Sequence, residues 1–139
     1  MAYPELFLKG IPNKDFVDNE GQVTAHLFYF NKKIERDDSY DEESICWKDD
    51  DRAMELILNQ QKDGCIQFKE GAAIIKRESI DLISKLMQKQ GDLTYERKPE
   101  YKNPYHGNLL LTKEVKKGVM KKIASAIALA CEEIIPQKF

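Results

Sequence analysis

With 139 residues, of which 42% are hydrophobic and 33% charged, the chain is long enough to bury a core and too apolar to be disordered. We therefore expect a single domain over residues 1–139. A net charge of −2, an isoelectric point near 5.8 and the lack of any apolar run near ~20 residues argue against a dedicated nucleic-acid binder and against a membrane-spanning helix.

The first third of the chain predicts short strands separated by turns. Residues 6–8 form the first strand, and the β-branched and aromatic run 22–30 predicts a second one. The acidic stretch 35–43 is polar throughout and predicts a solvated loop, after which 44–47 predicts a brief strand.

The middle of the chain predicts alternating helices and strands. Asp49, Asp50 and Asp51 offer an N-cap and a negatively charged first turn for a helix that continues to Gln61. Further along, the pattern predicts strands at 65–68 and 72–75, a helix at 78–90 and a strand at 93–97.

The C-terminal third predicts a strand at 109–111 and then the longest helix. This helix is capped near Thr112, carries an apolar stripe as far as Ile134 and is closed by Pro136. Because strands and helices are mixed without repeated βαβ units, the sequence predicts an α+β fold. Its small, mostly antiparallel sheet of short strands is packed by about three helices, the longest of them C-terminal.

The segment Asn103–Asn108, with the sequence NPYHGN, is the strongest candidate for chemistry. Pro104 fixes its own φ angle, and Gly107 can adopt backbone torsions that other residues disfavour. We therefore expect His106 to be held on a rigid turn before a buried strand. An imidazole titrates near neutrality and serves as a general acid or base or as a ligand-binding group. Its expected neighbours are Arg97, Tyr105 and Asn108. The alternative is a structural turn histidine bonded to a backbone carbonyl.

Charge is distributed unevenly along the sequence. Nine acidic residues against two basic ones give 35–51 a balance of −7, which leaves +5 for the rest of the chain. Such a dipolar molecule steers association, and we predict an interaction surface from the two charged groups. Its residues are Asp37, Asp38, Asp41, Glu42, Glu43, Lys113, Lys116, Lys117 and Lys121.

Several functional classes have no support in the residue pattern. Twelve-residue windows from Asp37 and from Asp41 lack the glycine and the terminal glutamate of an EF-hand. No P-loop, dinucleotide fingerprint or zinc-protease motif is present, so no cofactor and no metal site are predicted. Three cysteines without paired spacing, and an N-terminus without a secretory signal, make the cytoplasm the expected location.

Short segments resemble a group of small proteins. The run Leu6-Phe7-Leu8-Lys9-Gly10-Ile11, the later Gly21-Gln22-Val23-Thr24 and the Asn-Pro-Tyr-His turn are similar to functionally unassigned prokaryotic proteins with an Asn-Pro-x-His turn before a final apolar strand. The resemblance implies no activity and no site residue.

Three functions from different classes follow from these residues. The preferred hypothesis is a small cytoplasmic protein-interaction or accessory module, whose partner is another protein or a second copy of the chain. The alternative is a small enzyme or anionic-ligand binder centred on His106. A third, weaker hypothesis is nucleic-acid binding through the Lys113–Lys122 face of the last helix.

Overall fold

Eight strands and three helices make up the regular structure of residues 3–30, 40–88 and 90–137, which are the residues that the computed structural model describes. The strands are β1 (Leu6–Ile11), β2 (Tyr40–Trp47), β3 (Gln61–Lys62), β4 (Cys65–Ile66), β5 (Gly71–Lys76), β6 (Leu93–Arg97), β7 (His106–Thr112) and β8 (Cys131–Ile135). The helices are α1 (Asp51–Asn59), α2 (Arg77–Met87) and α3 (Lys117–Ala130).

Six strands form one antiparallel sheet in the order β6-β7-β2-β1-β5-β8, and β3 and β4 form a separate hairpin. The long central pairing joins β2 to β7 from Tyr40 opposite Thr112 to Cys46 opposite His106. The predicted α+β class, the antiparallel sheet and the C-terminal position of the longest helix are confirmed.

Side chains of the sheet alternate between two faces, each with its own core. One face packs against α2 and α3, and its buried residues include Phe7, Trp47 and Leu109. The other face packs against α1, and its buried residues include Leu8 and Cys46. We call these the α2–α3 face and the α1 face. Successive strand residues therefore belong to different environments, which decides where each candidate site residue points.

The predicted strand at 22–30 is wrong. Val23 makes an isolated bridge with Val17, and Ala25–Leu27 is a 3₁₀ helix. The buried residues in this stretch are Val23, Leu27, Phe28 and Phe30, whose spacing follows no two-residue period. They pack into the core on the α2–α3 face, and that packing overrides the strand propensity of the segment.

The predicted acidic loop is wrong over residues 40–43, which belong to β2. Asp41 and Glu43 are buried on the α2–α3 face, and Lys9 forms an ion pair with Glu43. Glu42 points to the other face. Pairing with β7 imposes the strand on a stretch whose local sequence favours a loop. The remainder of the predicted loop, residues 35–39, lies outside the described residues.

Helix boundaries differ from the predicted ones mainly at the C-terminus. The N-cap of α1 is confirmed, since the Asp50 carboxylate accepts a hydrogen bond from the Arg52 backbone N–H at 2.9 Å. The last helix ends at Ala130 instead of Ile134, because Cys131–Ile135 pairs with β5 as an edge strand. It also begins at Lys117, with no capping bond from Thr112.

Candidate functional site

A hydrogen-bonded turn delivers His106 to the start of β7. The Asn103 side-chain oxygen accepts from the Tyr105 backbone N–H at 3.0 Å, and the Asn103 carbonyl accepts from the His106 N–H at 3.1 Å. Asparagine before proline suits such a turn, because its short side chain bonds the backbone two residues onward. His106 is thus the first residue of the strand, opposite Cys46 on the α1 face.

The tautomer of His106 follows from its contacts. Its Nδ1 lies 2.9 Å from the carbonyl oxygen of Lys98, which accepts hydrogen bonds only, so Nδ1 carries the proton. The other ring nitrogen, Nε2, lies 3.4 Å from the Ser44 hydroxyl and 3.5 Å from the Glu100 carboxylate. In the neutral ring Nε2 accepts a hydrogen bond from the Ser44 hydroxyl, and in the protonated ring it donates one to the Glu100 carboxylate.

His106 opens into a concave space of about 210 Å³, which we call the His106 cleft. The cleft lies between the α1 face of the sheet, the C-terminal end of α1 and the β3–β4 hairpin. The polar and charged residues that line it are Lys9, Ser44, Gln60, Gln67, Glu100, Asn103 and His106. The Phe68 ring packs so closely on Gly10 that a Cβ there would lie 2.4 Å from the ring, so Gly10 lets Phe68 form one wall.

Two side chains of β2 in the cleft differ in their chemical availability. Burial raises the pKa of the Cys46 thiol to about 12, although a contact from Asn103 opposes this. The thiol therefore stays protonated and unreactive at neutral pH. Ser44, two residues earlier on the same face, is exposed and faces His106. A nucleophile in this cleft would have to be Ser44.

Arg97, predicted to neighbour His106, belongs to the opposite face of the sheet and does not line the His106 cleft. Its guanidinium donates to both carboxylate oxygens of Asp49, at 2.8 and 2.7 Å, and lies 5.4 Å from the centre of the Trp47 ring. The hydrogen bond from Arg97 holds the pKa of Asp49 below its usual value. We call Tyr3, Trp47, Asp49 and Arg97 the Arg97 cluster.

Tyr105 and Asn108 lie near His106 in sequence but are engaged elsewhere. The Tyr105 hydroxyl lies 3.0 Å from the Asp50 carboxylate, and burial together with that hydrogen bond raises the pKa of Tyr105. The buried Asn108 amide donates to Glu96 at 2.8 Å and to Glu42 at 3.3 Å. Neither Tyr105 nor Asn108 lines the His106 cleft.

Gly107 is required by close packing and not by unusual backbone torsions. The described non-helical glycines with positive φ are Gly21, Gly64 and Gly71. A Cβ on Gly107 would lie 2.3 Å from the Trp47 indole nitrogen and 2.5 Å from the Glu96 carbonyl oxygen. The Gly107 position thus brings the Arg97 cluster against β7.

The predicted charged interaction surface is only partly a surface. Asp41 and Glu43 are buried, Glu42 is half-buried, and Asp37 and Asp38 lie outside the described residues. Lys116 is exposed at the N-cap of α3. Lys113, Lys117 and Lys121 instead line a second cavity, of about 600 Å³, together with Asp41. The structure therefore brings four of the predicted residues together around one space.

Ser44, Glu100, Gln60 and Gln67 are site residues that sequence reasoning missed. They come from β2, the turn before His106, the end of α1 and the loop after β4, so no local motif unites them. One signal was present in the sequence: Ser44 and Cys46 alternate in a strand and so share a face. That signal does not reveal which face His106 joins.

Comparison of the chain with protein-family models, with curated proteins and with solved structures finds no match. Within residues 3–30, 40–88 and 90–137 there is no cluster of three or more histidine, cysteine, aspartate or glutamate side chains that could hold a metal ion. None of the three described helices has the length and apolar composition needed to cross a membrane.

Proposed function

We propose that this protein binds a small, polar, uncharged molecule in the His106 cleft. The observation that carries the proposal is the position of His106 Nε2, which faces a concave space beside the carboxylate of Glu100 and the hydroxyl of Ser44. Such convergence of a few polar groups in a cleft is typical of ligand sites.

The groups in the cleft indicate the chemistry of the ligand. Glu100 and the neutral His106 ring accept hydrogen bonds, whereas Ser44 and the side-chain amides of Gln60 and Gln67 also donate. A ligand that offers both hydroxyl or N–H donors and carbonyl or hydroxyl acceptors fits this set. A strong anion fits less well than the sequence suggested, because Glu100 lies beside Nε2 and Lys9 is paired with Glu43.

The cleft volume limits the size of the ligand. At about 210 Å³ the space is smaller than the roughly 300–1,000 Å³ typical of sites for drug-sized molecules. The expected ligand is therefore a single sugar, nucleobase or small carboxamide, with the Phe68 ring as an apolar wall.

Substitution of His106 by asparagine gives a sharp test. His106→Asn keeps an N–H for the Lys98 carbonyl but removes Nε2. We expect chemical-shift titrations with a panel of neutral sugars, nucleobases and small carboxamides to show binding to the wild type and its loss in His106→Asn. Leu86→Asn, at an exposed residue that lines neither cavity, is the control. Binding that survives in His106→Asn, or no binding by any class of the panel, contradicts the proposal.

A hydrolytic role is a second candidate, supported by the Ser44–His106 pair. The Lys98 carbonyl orients the ring, and Nε2 is placed to take the Ser44 proton as the hydroxyl attacks an activated acyl carbon. With p-nitrophenyl acetate, a Ser44 ester would form and p-nitrophenolate would leave. Mass spectrometry should find the acetyl group on Ser44, and Ser44→Ala should abolish the burst of p-nitrophenolate. An unlabelled Ser44 would contradict this role.

The protein-interaction module predicted from charge stays a prediction. Its acidic half is weakened, because Asp41 and Glu43 are buried. The exposed Lys116 and Lys122 still offer a basic surface on α3. Association with an acidic partner that weakens between 50 and 300 mM salt would support an electrostatic interface, and salt-independent association would oppose it.

A further inference from the structure

The side chain of Asp41 carries a buried oxygen atom that has no hydrogen-bond partner among the described residues. The residue is 1% exposed and lies near the start of β2, where it pairs with Leu111 of β7. The unpartnered atom is Oδ1. Because a buried oxygen without a partner lowers stability, such an atom calls for a physical explanation, and a bound molecule that donates to it is one.

The same residue lines the second cavity, which we call the α3 cavity. This space of about 600 Å³ lies between α3 and the segment that includes the 3₁₀ helix Ala25–Leu27. Its apolar wall is formed by Phe28, Phe30, Val115, Met120 and Ala124. Its volume lies within the range of sites for small molecules.

Two lysines mark the mouth of the α3 cavity. Lys117 and Lys121 stand four residues apart on α3, so they share one helix face, and both are exposed. The N-terminal turn of α3 carries no acidic residue, so its helix dipole adds positive potential near Lys117. The cavity thus contains the buried Asp41 carboxylate, an apolar wall, the half-buried Lys113 and two exposed lysines at its mouth.

We propose that the α3 cavity is a binding site for a small amphipathic molecule with an amine at one end and an acidic group at the other. The amine would donate to Asp41, the apolar body would lie against the Phe28 wall, and the acid would face Lys117 and Lys121. This site is distinct from the His106 cleft, because Asp41 lies on the α2–α3 face and His106 on the α1 face.

Three probes of one shape separate the two ends of the site: 4-(aminomethyl)benzoate carries both groups, benzylamine carries the amine and benzoate carries the acid. We expect the first to bind the wild type at least about tenfold more tightly than either of the others, in calorimetric titrations at low salt. No binding by any probe at millimolar concentration would overturn the proposal.

Substitutions test which residues bind the amine end of the ligand and which bind its acidic end. Asp41→Asn should reduce the affinity for benzylamine at least about tenfold and change that for benzoate little. The double variant Lys117→Gln/Lys121→Gln should weaken benzoate instead, whereas Lys116→Gln/Lys122→Gln, at exposed lysines outside the cavity, is the matched control. Unchanged benzylamine binding in folded Asp41→Asn would overturn the proposal.

One further variant covers the case in which Asp41→Asn does not fold. Ser125 is exposed and lines the α3 cavity, so Ser125→Trp should obstruct the cavity without altering the sheet. Binding of all three probes should then be lost while ligands of the His106 cleft still bind. Retention of the α3-cavity probes in Ser125→Trp would contradict the site, and this result is independent of the outcome for His106→Asn.

Discussion

The His106 cleft and the Arg97 cluster lie on opposite faces of the sheet where β7 begins, and both are built from polar and charged side chains. The cluster is closed in the sense that its two charges are paired: Arg97 donates two hydrogen bonds to Asp49, and the guanidinium lies over the Trp47 ring. The cleft is open, because Nε2 of His106 makes only long contacts, of 3.4 and 3.5 Å. Charged residues that satisfy one another stabilise a fold, whereas polar atoms left open toward a cavity indicate binding.

The largest expected effect on stability is that of Gly107→Ala, which adds a methyl group between the His106 cleft and the Arg97 cluster. In Gly107→Ala the added Cβ would overlap both the Trp47 indole and the Glu96 carbonyl oxygen, and a backbone atom paired in the sheet cannot move aside. We expect a loss of about 3 kcal/mol in the free energy of unfolding, measured by urea denaturation.

Gly118→Ala is the matched control for that substitution. Gly118 lies in the first turn of α3 with nothing within 4 Å of its added Cβ, so alanine should stabilise by up to about 1 kcal/mol. A Gly107→Ala protein as stable as the wild type would show that the Arg97 cluster does not depend on close packing against β7.

A smaller loss is expected when the Arg97 cluster keeps its charge but loses its geometry. Arg97→Lys removes the two-point hydrogen bond to Asp49 and the planar stacking on Trp47, so we expect a loss of about 1–2 kcal/mol. Ligand binding in the His106 cleft should not change. A loss of binding together with stability would mean that the two faces are coupled.

The Arg97 cluster also makes stability depend on pH, with an expected effect smaller than that of Arg97→Lys. Because the folded pKa of Asp49 is lowered, its contribution is present above its usual pKa, near 4, and is lost as pH falls through the folded value. Asp49 is partly exposed, so we expect less than about 1 kcal/mol. Urea melts between pH 5 and pH 2 should show a smaller acid loss in Asp49→Asn, and equal losses would rule out this linkage.

The parts of the fold that depend on local patterns could be predicted from the sequence. Asp50 caps α1 as its side chain suggests, and the apolar spacing locates all three helices. Elements that depend on distant partners could not be predicted. Residues 40–43 become a strand through β7, and residues 131–135 leave the helical pattern to pair with β5. Strand pairing between distant segments carries no mark in the local sequence.

The candidate sites show the same division. The rigid turn identified His106, but the face on which its side chain lies depends on the register of β7 against β2. A change of one residue in that register would bring Gly107 opposite Cys46 and turn His106 toward the opposite face. The interaction surface was predicted from charge alone, by grouping the acidic segment with the lysines of α3. In the structure Asp41 does lie near these lysines, but they line a cavity together and do not form an open surface.

The smallest predicted effect on stability separates structural from functional atoms within His106 itself. His106→Asn retains an N–H for the Lys98 carbonyl and removes only the long contacts of Nε2, so stability should change by about 0.5 kcal/mol or less. His106→Ala removes both and should lose about 1–2 kcal/mol. If thermal and urea melts show equal losses for the two variants, Nε2 contributes to the fold, and the cleft is closed in the same sense as the Arg97 cluster. If only alanine destabilises, Nδ1 fixes the ring and Nε2 is left to meet a ligand.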